Sequence, residues 1–347
     1  MKRAAQLLVV LVVCTSGHAW ALGRADVAAL NAGHLALREL RVEDAARASA
    51  ALLARLPTDP DVLSLAAQVD FHQGRYAQAV ERLEASLAGR APRTGDEGDP
   101  RAWLLELFRS TRDATASFVE ARSDDGRYII RHAPGRDRHL VPYVLRALEG
   151  SDAAMQDELG IRLPGPIRVE ILPNADELAK VSTLTEEAIA TTGTIALCKW
   201  DKLMVTSPRA LLRGYPWMDT IAHEFVHLAL SRASHDHAPV WFQEGMAKFL
   251  ERRWREPEAI EHLHPAALGL LVRAVRERGL LPFDRIHPSI ALLPSQEDAA
   301  LAFAQVSTFV ARFHTAYGKA GIQAAIARMA EGEDARVALA GVASVSW

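Results

Sequence analysis

The chain has 347 residues, of which 49% are hydrophobic and 24% are charged, and its formal net charge is −3 at pH 7. This composition is that of an ordinary globular protein, and the length allows two domains. The 40 basic and 43 acidic residues form no basic block, which argues against a nucleic-acid-binding protein and against one held on an anionic membrane surface.

Residues 1–21 have the pattern of a signal peptide. A basic pair at residues 2–3 precedes an apolar core at residues 7–13, and residues 19–21 read Ala-Trp-Ala, a small-x-small cleavage site. The apolar core is too short to span a bilayer. We therefore expect an exported protein, periplasmic or extracellular, with no stable membrane span and a mature chain that begins near Leu22.

Cys14 offers an alternative, a lipoprotein, but Val13 before it suits that processing poorly. After cleavage by a signal peptidase the mature chain would keep Cys198 as its single cysteine. It would then form no internal disulfide, and a buried, inert thiol is the expectation for Cys198.

Residues 22–122 are predicted to form an all-α domain built from a repeat of 34 residues. The pairs related by this step are Val42 and Tyr76, Ala45 and Ala79, and Leu53 and Leu87. The pattern resembles tetratricopeptide repeats, whose paired helices need small residues where they cross, and the resemblance implies a protein partner or substrate bound by the repeats. Two units are visible, and a helix from residue 100 to about 118 would cap them. A plain pair of helical hairpins without a ligand is the alternative.

Residues 123–347 are predicted to form a second, α+β domain, because the periodicity changes after two polar, breaker-rich stretches at 91–100 and 123–126. The predicted elements are a strand at 127–131, a helix at 140–159, a strand at 167–172, a helix at 175–184 capped by Asn174, and a hairpin of strands 194–197 and 202–206. Helices at about 298–317 and 322–330 follow two further helices that carry the candidate site. Residues 255–297 hold little pattern.

The first of those two helices carries the stretch His223-Glu224-Phe225-Val226-His227. Two histidines four residues apart project from one face of a helix, about one turn apart, so both imidazoles reach a single ion. Glu224 can contact a metal-bound water without being a ligand. The surrounding sequence is apolar on nearly every side, which predicts burial, and two buried histidines without a partner would be costly.

The second helix, from about residue 240 to 254, carries Glu244, 17 positions after His227. This distance lets one helix end and the next return alongside it. Two histidines, one carboxylate and an open fourth position make a catalytic zinc site. His235 and His237 lie in the predicted turn between the helices and are interpreted as solvated.

The motifs His223-Glu224-x-x-His227 and Trp241-Phe242-Gln243-Glu244-Gly245 resemble those of the gluzincin metallopeptidases, in particular the peptidase MA-like branch, over residues 125–335. The resemblance implies a thermolysin-like domain, a small sheet plus metal-binding helices, and a peptide substrate that pairs with an edge strand. The chain ends at Trp347 where members of this family continue, so a truncated C-terminus is one expectation. A metzincin would need Gly and His where this chain has Leu230 and Ala233.

Under this resemblance, Zn²⁺ is the cofactor, its ligands are His223, His227 and Glu244, and Glu224 is the general base. The zinc would lower the pKa of its bound water and polarise the amide carbonyl. A purely structural zinc site is disfavoured because it would leave Glu224 without a task.

Two positions depart from the gluzincin pattern. Phe303 stands in the late helix where related sequences have a tyrosine that stabilises the oxyanion, and phenylalanine cannot donate a hydrogen bond. Lys248 stands where many gluzincins place an acid that orients a histidine. Candidate substitutes for the tyrosine are Tyr215, Tyr317, His262, His264, His287 and His314. Candidate acids are Asp219 and Glu251, each expected instead to be a solvated surface acid.

Two functions remain open from the sequence. The first is an exported zinc-dependent peptidase that hydrolyses peptide bonds by a zinc-activated water. The alternative is a binding protein, in which a repeat scaffold carries a zinc-bound but catalytically weakened domain, as the departures at Phe303 and Lys248 suggest.

Overall fold

The structure is a computed structural model that describes residues 22–89, 100–256, 263–277, 279–286 and 289–345. The predicted signal peptide with Cys14, nearly all of the predicted loop at 91–100, His262 and His287 lie outside these residues. The chain divides into two compact units, Met1–Ala116 and Ser117–Trp347. The described residues form thirteen α-helices and one five-stranded mixed sheet, so the predicted α+β class is confirmed.

The described part of the first unit is helical. Its helices are α1 (Arg24–Arg38), α2 (Val42–Arg55), α3 (Pro60–His72), α4 (Tyr76–Ala88) and α5 (Pro100–Ala114). The starts of α2 and α4 are separated by the 34-residue step seen in the sequence. Ala45 and Ala79, related by the same step, are both fully buried, as expected for small residues where helices cross.

Packing in the first unit depends on one close approach and one aromatic contact. A Cβ on Gly33 of α1 would lie 2.6 Å from a methyl of Leu65 on α3, so glycine lets these two helices come together. Phe71 stacks on Phe108 with ring centroids 4.2 Å apart, which joins α5 to the preceding helices.

The second unit contains the sheet and eight helices among its described residues. In chain order they are β1 (Val119–Arg122), β2 (Tyr128–His132), α6 (Val141–Leu159), β3 (Ile167–Leu172), α7 (Ala175–Lys180), α8 (Glu186–Thr192), β4 (Ala196–Lys199), β5 (Lys202–Thr206), α9 (Trp217–Ala233), α10 (Val240–Leu250), α11 (Pro265–Arg276), α12 (Gln296–Ala330) and α13 (Ala335–Ala343). As predicted, Asn174 caps α7 by accepting from the amide of Glu177, and Gly160 ends α6 in the left-handed conformation.

The sheet has the strand order β1-β2-β3-β5-β4, with a parallel centre and antiparallel edge strands β1 and β4. Ile130, Val169 and Leu203 are side by side in the register and fully buried. These three residues share one hydrophobic core with Phe225 of α9. Helix α9 contacts both β4 and β5. The sheet therefore supports the helix that carries the histidine motif.

Several elements differ from the sequence expectation. The helix predicted to continue to about residue 118 ends at Ala114, and residues 119–122 form β1 instead. The compact units consequently divide at Ala116, before the expected boundary at residue 122. β1 is largely exposed and lacks an alternating apolar pattern, so its identity depends on pairing with β2, a partner that only the fold supplies. Three helices, α8, α11 and α13, were not predicted, and α10 ends at Leu250 rather than near residue 254.

The described residues include no helix with both the length and the apolar character that crossing a bilayer requires.

Gly245 sets the contact between α10 and α12. A Cβ at this position would lie 2.7 Å from the carbonyl oxygen of Val306 and 2.7 Å from a methyl of Val310. Both contacts are closer than real Cβ atoms tolerate, and one of them is with backbone, which cannot turn aside. The glycine that follows Glu244 is thus required by packing.

We expect Gly245→Ala to lower the free energy of unfolding of the metal-free protein by about 1–3 kcal/mol, because the added methyl overpacks this contact. The matched control is Gly269→Ala in α11, where a Cβ would meet nothing within 4 Å. That change should be neutral or stabilise by up to about 1 kcal/mol, since alanine favours a helix. Denaturant unfolding of the three proteins measures both effects, and equal stability of the Gly245 variant and the parent would contradict the close packing.

Candidate metal centre

α9 holds His223, Glu224 and His227 on a rigid, buried support. Its apolar residues, among them Ile221 and Phe225, are nearly or fully buried in the core. The two imidazoles project one turn apart from the same side, with ring centroids 4.9 Å apart. Because this helix is fixed by packing on the sheet and on α6, the histidine positions depend little on surface loops.

A tight turn brings α10 back against α9. His235 and Asp236 in this turn both adopt left-handed backbone conformations, with φ of 52° and 61°. Ser234 accepts a hydrogen bond from the amide of Ala238 through its hydroxyl, which closes the turn before α10 begins. A ring nitrogen of His237 lies 3.1 Å from the carbonyl oxygen of Met329. The turn histidines thus lie outside the cluster that His223, His227 and Glu244 form.

Three ligand atoms converge where α9 faces α10. Glu244 Oε2 lies 3.3 Å from His223 Nε2 and 3.4 Å from His227 Nε2, and the two Nε2 atoms are 3.1 Å apart. Within the described part of the chain, these three residues are the group of histidine, cysteine and acidic side chains found close enough together to hold one ion. The predicted ligand set is therefore brought together in space.

The electrostatics of this cluster are those of a carboxylate between two imidazoles. Burial lowers the pKa of His223, but hydrogen bonds to Glu244 and Glu251 outweigh burial and raise this pKa to about 10. Burial alone would raise the pKa of Glu244, but the charge of His227 and the hydrogen bond with His223 hold it well below its usual range. A metal ion at this point would compete with protons for the same ligand atoms.

Each histidine has a hydrogen-bond partner for its second ring nitrogen. Glu251 Oε2 lies 3.0 Å from His223 Nδ1, and Gln243 Oε1 lies 3.3 Å from His227 Nδ1. The Gln243 amide is oriented because its nitrogen donates to the carbonyl oxygen of Ala238 at 2.8 Å. Partners of this kind fix which nitrogen carries the proton, so both Nε2 atoms are left to face the cluster.

Neither candidate acid is a solvated surface acid. Glu251 accepts from His223 Nδ1, and the Asp219 side chain is only 14% exposed, so the expectation is wrong for both residues. Asp219 is held by the indole of Trp254 at 3.0 Å and by the guanidinium of Arg255 at 2.7 Å.

Gln243 belongs to the motif that identified Glu244, yet the sequence analysis assigned Gln243 no role. Its position one residue before the ligand was the signal that could have revealed it.

Each candidate oxyanion donor among the described residues contacts a group outside the cluster of His223, His227 and Glu244. The hydroxyl of Tyr215 donates to the backbone carbonyl of Thr206, and burial together with the charge of Glu224 raises the pKa of this phenol. The ring of Tyr317 packs on Phe313, His264 accepts a hydrogen bond from the amide of Ala266, and His314 lies 3.3 Å from Glu158.

Glu224 is next to the ligand cluster without belonging to it. Its side chain is buried, with 6% of the residue exposed. Burial raises the pKa of the Glu224 carboxyl, and the charges of His227 and His223 offset this only in part. The backbone amide of Cys198 on β4 also interacts with this carboxylate. The candidate base therefore lies between the metal ligands and an edge strand of the sheet.

Comparison with known proteins supplies no family. No family model matches the chain, and no curated protein matches it. The function inferred below therefore depends on the geometry and chemistry of the site.

Proposed function

We propose that this protein is an exported, zinc-dependent peptidase of the gluzincin class, with a thermolysin-like catalytic domain after a tetratricopeptide-like helical domain. One observation carries the proposal. His223, His227 and Glu244 converge on one point, while Glu224, buried beside them, is left free of that point. Three protein ligands with an adjacent acid are typical of a hydrolytic zinc centre rather than a structural one.

The spacing of the ligand atoms supports zinc. For bond lengths of about 2.0–2.1 Å, two ligands of a tetrahedral ion lie about 3.3–3.4 Å apart. The separations of 3.1, 3.3 and 3.4 Å among the two Nε2 atoms and Glu244 Oε2 approximate one face of that tetrahedron. Neutral imidazole and carboxylate are ligands that zinc accepts, and Glu251 and Gln243 hold the imidazoles from behind.

Zinc, when bound, supplies the positive charge that polarises a carbonyl and lowers the pKa of water to about 7. Glu224 accepts the proton of the attacking water and later delivers it to the leaving amine. Burial suits the carboxyl for both tasks, because it raises the pKa toward the range in which a group takes up and releases protons near neutral pH.

β4 is the strand best placed to bind an extended substrate. It is an edge strand, it contacts α9, and its Cys198 amide interacts with Glu224. A peptide added antiparallel or parallel to this edge would run past the candidate base. β1, the other edge strand, is separated from β4 by the three central strands. In this proposal the helical repeats bind a protein partner or part of the substrate.

Hydrolysis of a broad peptide library by the purified mature protein tests this function. We expect cleavage that stops when a chelator removes the metal and returns when one equivalent of zinc is restored. Mass spectrometry of the products reports the cleaved bonds. A zinc-loaded protein that cleaves no peptide in the library would instead favour the binding-protein alternative.

A further inference from the structure

Lys248 occupies a defined position behind the metal ligands. Its Nζ lies 3.1 Å from Glu251 Oε2 and 3.2 Å from Glu251 Oε1, so it donates to both carboxylate oxygens. The same Nζ lies 5.4 Å from the centroid of the Phe303 ring. The two residues that depart from the gluzincin pattern, Lys248 and Phe303, are therefore in contact with each other.

The carboxylate that Lys248 binds has a second partner, which is His223. Glu251 Oε2 accepts from His223 Nδ1 at 3.0 Å while it also faces the ammonium. An ordinary exposed lysine–glutamate pair three residues apart contributes little to stability. Here Glu251 also contacts His223, a candidate metal ligand, so the position of the Lys248–Glu251 pair affects the orientation of the imidazole.

We propose that Lys248 is a positioning residue of the metal centre: held between the Phe303 ring and Glu251, it keeps the Glu251 carboxylate on His223 Nδ1. This inference rests on the proposed zinc function. Many gluzincins have at position 248 an acid that orients a histidine. In this proposal two residues share that role: Glu251 supplies the carboxylate, and Lys248 fixes the position of the carboxylate.

Charge and burial explain why a cation is favoured at position 248. Glu244 and Glu251 both lie near His223, with side chains 14% and 20% exposed. A partly buried carboxylate such as that of Glu251 loses hydration, which it would regain by turning outward. The ammonium of Lys248 offsets that loss by donating a charge-assisted hydrogen bond to each oxygen.

Phe303 explains why the lysine stays in place. Its ring on α12 offers the negative face of its π-system to the ammonium within about 6 Å, the range in which a cation and an aromatic ring attract each other. The ring also restricts the directions open to the flexible lysine side chain. Phe303 thus holds the lysine side chain in place, a role distinct from the oxyanion stabilisation that a tyrosine would provide.

The test compares variants of the full-length protein with the parent by zinc titration calorimetry. Lys248→Met keeps the aliphatic stem and should weaken zinc affinity about tenfold, the low end of the range for loss of an outer partner, whereas Glu251→Ala should weaken it up to about a hundredfold. Lys248→Arg keeps a cation and should return affinity to within about threefold of the parent. Lys180→Met, which breaks an equally spaced pair with Glu177 on α7, is the matched control and should change nothing.

A second readout requires no metal. In protein labelled with ¹⁵N-histidine, the hydrogen-bonded Nδ1–H of His223 should give a sharp, exchange-protected NMR signal. Lys248→Met should broaden this signal or remove its protection, and Lys180→Met should not. Circular dichroism and unfolding curves show whether each variant is folded.

The outcomes separate this inference from the proposed function. If Lys248→Met leaves both zinc affinity and the His223 signal unchanged, Lys248 has no positioning role. If the parent protein fails to bind zinc yet the His223 signal still depends on Lys248, the positioning inference stands and the zinc function falls. Phe303→Leu should weaken zinc affinity about two- to fivefold, as expected for loss of a partly exposed cation–π contact, and an unchanged affinity would remove Phe303 from the arrangement.

Discussion

Replacing Glu224 with glutamine should leave zinc binding intact and slow peptide hydrolysis by at least about a hundredfold, the usual scale for a positioned general base. Glutamine has nearly the same size and fills the same buried space, but its amide cannot take up a proton at neutral pH. The ligand atoms of His223, His227 and Glu244 are unchanged by the substitution. Zinc content and hydrolysis of one defined peptide, measured on both proteins in parallel, check the prediction.

The matched control for this experiment is Asp219→Asn, the same carboxylate-to-amide change on the same helix. Asp219 binds Trp254 and Arg255 rather than a metal ligand, so its loss should cost only the small stability of a partly exposed ion pair. Hydrolysis at the parental rate in the Glu224 variant would overturn the proposed mechanism. A large loss in both variants would point to a general effect on α9 rather than to a base.

Removing the carboxylate of Glu244 should abolish tight zinc binding, whereas the parent protein should hold about one zinc per chain, as three converging ligands of zinc-preferring type imply. With Glu244→Ala, two imidazoles remain, and the weakening should exceed the roughly hundredfold limit expected for an outer partner such as Glu251. Metal analysis after dialysis against zinc-free buffer, followed by titration, measures this difference.

Glu106→Ala, which removes an exposed carboxylate of α5, is the control and should retain zinc. Zinc should also raise the unfolding midpoint of the parent and of this control, because an ion that binds only the folded state stabilises it, and should leave Glu244→Ala unchanged. Full zinc occupancy in the Glu244 variant would exclude Glu244 from the ligand set.

Local pattern was sufficient for most elements of the second unit. Alternation predicted β3 with the bounds that the structure shows, and Gly160 marked the end of α6. β1, α8, α11 and α13 were not recognised. β1 is short and exposed and is a strand only because β2 offers an edge to pair with, which a local pattern cannot express.

The candidate ligand set could be predicted because the spacing of its residues acts over a short range. Helical spacing places His223 and His227 on one face, and a turn followed by a second helix returns Glu244 to the same point. The outer partners were less accessible. The resemblance to gluzincins predicted an acid at position 248. This chain has Lys248 there, and the acid that contacts His223 is Glu251, three residues later.

What the sequence alone determined is therefore the composition of the candidate site: two histidines with Glu244 as the candidate third ligand and Glu224 as the candidate base, placed by helix geometry that acts over a few residues. Only the tertiary structure decided which groups surround them. The contacts of Glu251 with His223, of Lys248 with Phe303 and of Glu224 with β4 join side chains from helices and strands far apart in the chain. Their distances depend on how α9, α10, α12 and the sheet pack, and packing is a property of the whole core rather than of any one segment.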